Sequence, residues 1–275
     1  MKVYLDRNIL GDLKSSSRSH TRLLPLQDAV KQKRIDVLFS TTILEETLPA
    51  LNHSAAMLRE EIEVIRSLVH TDRMIKTPAE LLEETIQSYA LNRSLPDMFI
   101  PTPPFLRKLF DEGIVSEQVK EYLRGHIALT EKFSPELTEA FERARKAVQE
   151  QDVGKPKYFR EFYDGFCPAI LEQQRRNYGV YDACMERGTN GLMETKTIKL
   201  YLLYYAAWVY AKLFGEQGVS GKVDPSERGD WFHAVQAAAS DVFVTHDGRL
   251  ARWLNLRPVN DFEILTLLQL IERVS

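Results

Sequence analysis

Short apolar runs that end on an acid or a hydroxyl mark the two ends of the chain. Lys2-Val3-Tyr4-Leu5 stops at Asp6, and Ile35-Asp36-Val37-Leu38-Phe39 stops at Ser40. Asp241-Val242-Phe243-Val244-Thr245 leads into His246 and Asp247, and Pro258-Val259 is a fourth, weaker run. Such runs are nearly continuous and rich in β-branched and aromatic residues, which predicts strands buried on both faces, as in a parallel sheet. Helical spacing fills the intervals. Leu23, Leu26 and Val30 precede the second run; Leu44, Leu48 and Leu51 follow it at i, i+4, i+7; Ala234, Val235 and Ala238 precede the third. Asp261 is placed to cap a helix through Ile264, Leu267, Leu268 and Ile271. Strands alternating with helices predict an α/β fold, a short parallel sheet flanked by helices.

The middle, from about residue 54 to 220, reads as helical almost throughout. Leu58, Ile62, Ile65 and Val69 share one face. Thr77-Pro78-Ala79-Glu80 is a capping box with proline at the first helical position. Pro96 to Pro104 is a proline-rich break. Ser116 and Ser134-Pro135 each signal a helix start, Lys157 to Tyr178 is a further helix, and Thr195 to Phe214 is the most apolar one. The expected organisation is a discontinuous α/β core of residues 1–46 and 222–275, with a large all-α insertion over 47–221.

Composition narrows the function classes. The chain has 275 residues with 36 Lys+Arg against 39 Asp+Glu, a net charge of −3. That balance does not by itself advertise a nucleic-acid or anionic-membrane partner. Two cysteines, Cys167 and Cys184, exclude a disulfide framework and a Cys-rich zinc site. Asp6 and Arg7 fall where a signal peptide needs its apolar stretch. The longest apolar run, Leu200 to Ala211, is too short to cross a bilayer. The expectation is a cytoplasmic chain with no membrane partner. Gly221-Lys222 lacks the remainder of a P-loop, and neither G-x-S-x-G nor H-E-x-x-H is present.

Four acids stand at chemically telling places. Asp6 ends the first strand, Glu45 lies just past the second, Asp230 heads the helix Asp230-Trp231-Phe232-His233-Ala234, and Asp247 follows the third strand. Ligands of open parallel sheets bind outside the carboxyl ends of the strands. Two carboxylates about 6 Å apart repel by roughly 2–3 kcal/mol at an effective dielectric near 20. Convergence of the four therefore calls for a cation, and hard oxygen donors without cysteine select Mg²⁺ or Mn²⁺. Such a site suits phosphodiester hydrolysis. Glu46 competes with Glu45. With Leu44, Leu48 and Leu51 facing the core, Glu45 falls on the flank of the helix and Glu46 near its far side, which favours Glu45. Asp224 and Glu227 are rivals of Asp230. His233 and His246 stand beside these acids and read more simply as helix and loop histidines. Lys155, Lys157 and Arg160 mix with Tyr158 and Phe159, but Glu161 and Asp164 interleave with them, which fits the solvated face of an amphipathic helix. Tyr201, Tyr204, Tyr205, Trp208 and Tyr210 read as packing of a buried helix.

These residues resemble the PIN-domain nucleases. Val3-Tyr4-Leu5-Asp6-Arg7-Asn8 looks like that family's opening strand, Asp and Asn. Thr42-Ile43-Leu44-Glu45 resembles its second motif, Asp230 before an Ala-rich helix its third, and Val242-Phe243-Val244-Thr245-His246-Asp247 its fourth. The likeness covers about residues 1–50 and 222–275. It implies metal-dependent endoribonuclease activity on RNA, with DNA left open, and in bacterial members often a toxin paired with an antitoxin or other protein partner. It further implies that Asp6, Glu45, Asp230 and Asp247 hold Mg²⁺ or Mn²⁺, that Asn8 braces the first loop, and that Thr245 hydrogen-bonds near the last acid. The long insertion departs from the compact family pattern. The alternative expectation is a non-catalytic RNA- or protein-binding module that keeps the fold.

Overall fold

The computed structural model describes residues 1–14, 19–47, 55–151, 154–180, 188–215, 222–224 and 226–275. In chain order its first elements are β1 (Lys2–Leu5), α1 (Arg7–Lys14), α2 (Ser19–Lys31), β2 (Asp36–Leu38), α3 (Thr41–Thr47), α4 (Ala55–Leu68) and β3 (Arg73–Ile75). Then come α5 (Pro78–Ala90), β4 (Phe99–Pro101), α6 (Pro104–Glu112), α7 (Glu117–Glu150), α8 (Phe159–Asn177), α9 (Asn190–Met193) and α10 (Lys196–Phe214). The chain closes with α11 (Ser226–Gln236), a 3₁₀ turn (Ala237–Ala239), β5 (Val242–Val244), α12 (Gly248–Leu254), β6 (Glu263–Leu265) and α13 (Leu267–Val274). It is mostly helical around a small parallel sheet, and it divides into two compact units. One comprises residues 1–78, 97–126 and 236–275; the other comprises 79–96 and 127–235.

The first unit holds the four-stranded sheet, in the order β2-β1-β5-β6. Every pairing is parallel, with Val3 opposite both Val37 and Val242, and Val242 opposite Glu263. Val3, Tyr4 and Leu5 are buried, as are Val242, Phe243 and Val244, so the two central strands are covered on both faces as their apolar runs require. Burying each such side chain stabilises the fold by about 1.5–3 kcal/mol. The Tyr4 and Phe243 rings stack 5.8 Å apart across the β1–β5 pair. From β1 the chain crosses to β2 on one side, and from β5 to β6 on the other. The order therefore reverses between β1 and β5, which opens a crevice at their carboxyl ends.

Several expectations are corrected. The fourth strand is Glu263–Leu265, not Pro258-Val259, and Asp261 does not cap a helix. Thr266 caps α13 instead, accepting from the Gln269 amide, while the Gln269 side chain accepts from the Thr266 N–H at 2.8 Å. Three edge-strand residues are too few to show a period, and the T-x-x-Q signal lies beyond them. The segment 47–221 is not all-α: β3 and β4 pair antiparallel within it, and Ile75 N–H donates to Phe39 O beside the sheet. Pro101 ends β4, within the proline-rich stretch, where a strand tolerates proline. No new helix starts at Ser134-Pro135, because α7 runs through Pro135. Leu48 and Leu51 lie outside the described residues.

In the second unit, α8 and α10 pack together. α10 is buried nearly all round, including Tyr201, Tyr204 and Trp208. Inside it Lys212 Nζ lies 2.9 Å from Glu227 Oε2, with Lys212 fully buried. Trp208 Nε1 donates to the same oxygen at 3.2 Å. The solvated face of α8 carries pairs such as Arg160–Asp164 and Arg176–Glu172.

Candidate metal centre

Asp6 leaves β1 at the crevice and is buried, at 4 % exposure. Its backbone N–H donates to Val244 O at 2.9 Å, extending the β1–β5 ladder by one residue. Thr245, just past β5, donates its hydroxyl to Asp6 Oδ2 at 2.6 Å, and Asn8 Nδ2 donates to the same oxygen at 3.3 Å. Thr245 Oγ1 also accepts from the Asp247 N–H at 2.9 Å. The hydroxyl thus ties the first acid to the loop that carries the last.

Glu46 faces Asp6. Their carboxylates each offer an oxygen within 4.8 Å of the other. Glu45 instead accepts from Tyr122 OH at 2.9 Å. The difference from the expected orientation lies in the helix phase. The buried residues of α3 are Thr41, Thr42, Ile43, Leu44 and Thr47. At 100° per residue these five spread round most of the helix, and buried Thr42, one turn before Glu46, shows that the core claims the side that Glu46 shares.

A buried hydroxyl reports the same gathering of charge. The Tyr4 hydroxyl is pushed well above its ordinary value, first by burial and then by Glu46, Asp6 and Glu45, while a hydrogen bond to Ser40 acts in the opposite direction. Tyr4 OH and Ser40 Oγ are 2.8 Å apart, and Tyr4 OH donates to Gln236 Oε1 at 3.1 Å. Gln236 Nε2 donates to Lys76 O at 3.0 Å and to Thr41 Oγ1 at 3.3 Å. Sequence reasoning missed this network. Its signal was Gln236 itself, a polar residue within Ala234-Val235-Gln236-Ala237-Ala238, where a buried amide needs partners.

The remaining acids and the two histidines beside them have these surroundings. Asp247 caps α12, its Oδ1 accepting from Arg249 N at 2.8 Å and Leu250 N at 2.9 Å. His246 Nε2 lies 3.5 Å from Asp12 Oδ2. Asp230 and His233 belong to the second unit. Asp230 does not head its helix, because α11 begins at Ser226. Asp224 sets that start: its carboxylate accepts from Ser226 N at 2.8 Å, and its own N–H donates to Glu227 Oε2 at 3.1 Å. This is an Asx turn at the entry to α11, six residues before Asp230.

The donor set of the first unit at this edge is all oxygen, from carboxylates and hydroxyls, which fits a hard divalent cation. Among the described residues, no helix is long and apolar enough to cross a membrane. Comparisons with protein-family models, with curated proteins and with solved structures find no match for the chain.

Proposed function

We propose that the protein is a metal-dependent endoribonuclease with a PIN-like core. The observation that carries this reading is the pairing of buried Asp6 with Glu46 at the crevice where the strand order reverses. Asp6 and Glu46 would hold Mg²⁺ or Mn²⁺. Thr245 and Asn8 orient the Asp6 carboxylate. The Tyr4–Ser40–Gln236 network fixes the entry to α3 and with it the direction of Glu46. A divalent ion bound there would supply Lewis-acid polarisation of a phosphodiester and a water of lowered pKa. The PIN resemblance of the Asp6-Arg7-Asn8 and Thr245-His246-Asp247 segments is what favours RNA as the substrate.

One observation favours the second reading, a binding module without catalysis. Glu45 and Asp247 already have carboxylate oxygens engaged by Tyr122 and by the first turn of α12. Incubation of an oligoribonucleotide with the full chain, with and without Mn²⁺, separates the two. The nuclease reading expects internal cleavage that needs the ion and is lost in Asp6→Asn. Mn²⁺ binding with no cleavage selects the module, and absence of Mn²⁺ binding at millimolar concentration sinks the cation site altogether.

A further inference from the structure

Thr42 is nearly fully buried, at 1 % exposure, and its Oγ1 has no hydrogen-bond partner among the described residues. A buried hydroxyl in that condition costs about 1–3 kcal/mol, and native proteins leave few of them. Threonines elsewhere in the chain show the usual solution. Thr47 donates to Ile43 O at 2.7 Å and Thr85 to Leu81 O at 2.5 Å, each to the carbonyl four residues back. Thr42 stands in the first turn of α3, and the residue four back, Leu38, belongs to β2, so no helical carbonyl waits there.

The helix spacing says what the hydroxyl stands beside. Residues four apart occupy one face, one turn above the other. Thr42 therefore shares its face with Glu46, whose carboxylate meets Asp6. Two carboxylates already match the charge of a divalent ion. A third ligand from the same face is then best neutral, and a hydroxyl oxygen is an accepted donor for Mg²⁺.

Resting on the cation site described above, we propose that Thr42 Oγ1 is a neutral oxygen ligand of the divalent ion held by Asp6 and Glu46. The test is a calorimetric Mn²⁺ titration of the full chain as wild type, Thr42→Val and Thr42→Ser, with thermal unfolding of each in chelator. Thr42→Val is expected to bind Mn²⁺ about tenfold or more weakly, the scale of losing one group at a metal site. In chelator it unfolds at the same or a higher temperature, because a hydroxyl without a partner has been removed. Thr42→Ser restores affinity to within about threefold of wild type, since it keeps the oxygen. Unchanged affinity in Thr42→Val overturns the assignment. So does a drop in its unfolding temperature in chelator, which would reveal an internal partner for the hydroxyl. A wild type that takes up no Mn²⁺ removes the cation site itself, a different result from an equal uptake by wild type and valine variant.

Discussion

Replacing Asp6 by asparagine tests the electrostatics of the site without using activity. The Asp6 and Glu46 carboxylates each offer an oxygen within 4.8 Å of the other. At that separation and an effective dielectric near 20 their repulsion is about 3 kcal/mol. The Asp6→Asn substitution removes it while keeping the shape and an acceptor for Thr245. The bonds from Thr245 at 2.6 Å and Asn8 at 3.3 Å become neutral rather than charge-assisted, a loss of about 1 kcal/mol together. The net expectation is a gain of about 2 kcal/mol in chelator, or roughly 4–8 °C in the unfolding of a unit of this size. Mn²⁺ reverses the order. At a hundred times its dissociation constant an ion stabilises wild type by about 2.7 kcal/mol, and it does little for a variant that has lost a ligand. Scanning calorimetry of both proteins, in chelator and in Mn²⁺, reads all four quantities. A lower unfolding temperature for Asp6→Asn in chelator, or equal Mn²⁺ shifts in the two proteins, would refute the reasoning.

Three further outcomes are expected. Thr245→Val removes the donor to Asp6 and the acceptor of the Asp247 N–H, and urea unfolding should show a loss of about 2–4 kcal/mol; a change below about 0.5 kcal/mol would deny the hydroxyl that double role. Lys212→Met strands the Glu227 carboxylate in the second unit, at a cost of about 3–5 kcal/mol, and a neutral result would show that the pair is not the buried contact its geometry describes. Burial raises the hydroxyls of Tyr4, Tyr201 and Tyr205 above the ordinary value of 10.0. Folded protein then holds protons that the unfolded chain releases, so this contribution is complete below about pH 10 and is lost as pH climbs from there toward the folded values. Tyrosinate absorbance of these three should appear only together with unfolding, and early, reversible ionisation of all tyrosines in the folded state would contradict it.

The sheet was legible because its strands are buried on both faces. Val3-Tyr4-Leu5 and Val242-Phe243-Val244 carry an unbroken apolar signal, and their parallel pairing follows from the helices between them. β6 was missed for the opposite reason: Glu263 is exposed and Ile264 and Leu265 only half buried, so an edge strand of three residues leaves no pattern. Pro135 misled because proline is a strong local signal, yet α7 carries it without interruption. Asp6 could be read from its place at a strand end, since strand ends of a parallel sheet meet at a switch point, whereas the roles of Asn8 and Thr245 followed only from the PIN resemblance. Whether Glu45 or Glu46 turns toward them was not legible locally. The phase of α3 depends on which of its residues the core claims, and it claims Thr41 and Thr42 as well as Leu44, which a leucine spacing does not suggest.

That dependence is physical. A helix of seven residues is far below the length at which a helix holds itself together, so tertiary contacts decide both its existence and its rotation. Ser40 Oγ accepts from the Ile43 N–H at 3.3 Å and meets Tyr4 OH, pinning the first turn to β1. Thr47 donates back to Ile43 O and closes the last turn. On the outer side Tyr122 holds Glu45, and the Tyr122 ring is itself placed against Phe105 of α6, 6.1 Å between centroids. Adjacent residues on a helix point about 100° apart, so fixing Glu45 on Tyr122 fixes Glu46 as well. The two glutamates divide the work. One sets the rotation of α3 through a neutral phenol, and the other, by consequence, brings its charge to Asp6. Loss of the Tyr122 hydroxyl should therefore loosen the acid pair without touching either acid. Calorimetry on Tyr122→Phe should show weaker Mn²⁺ uptake than wild type, and an unchanged affinity would deny that the phenol sets the direction of Glu46.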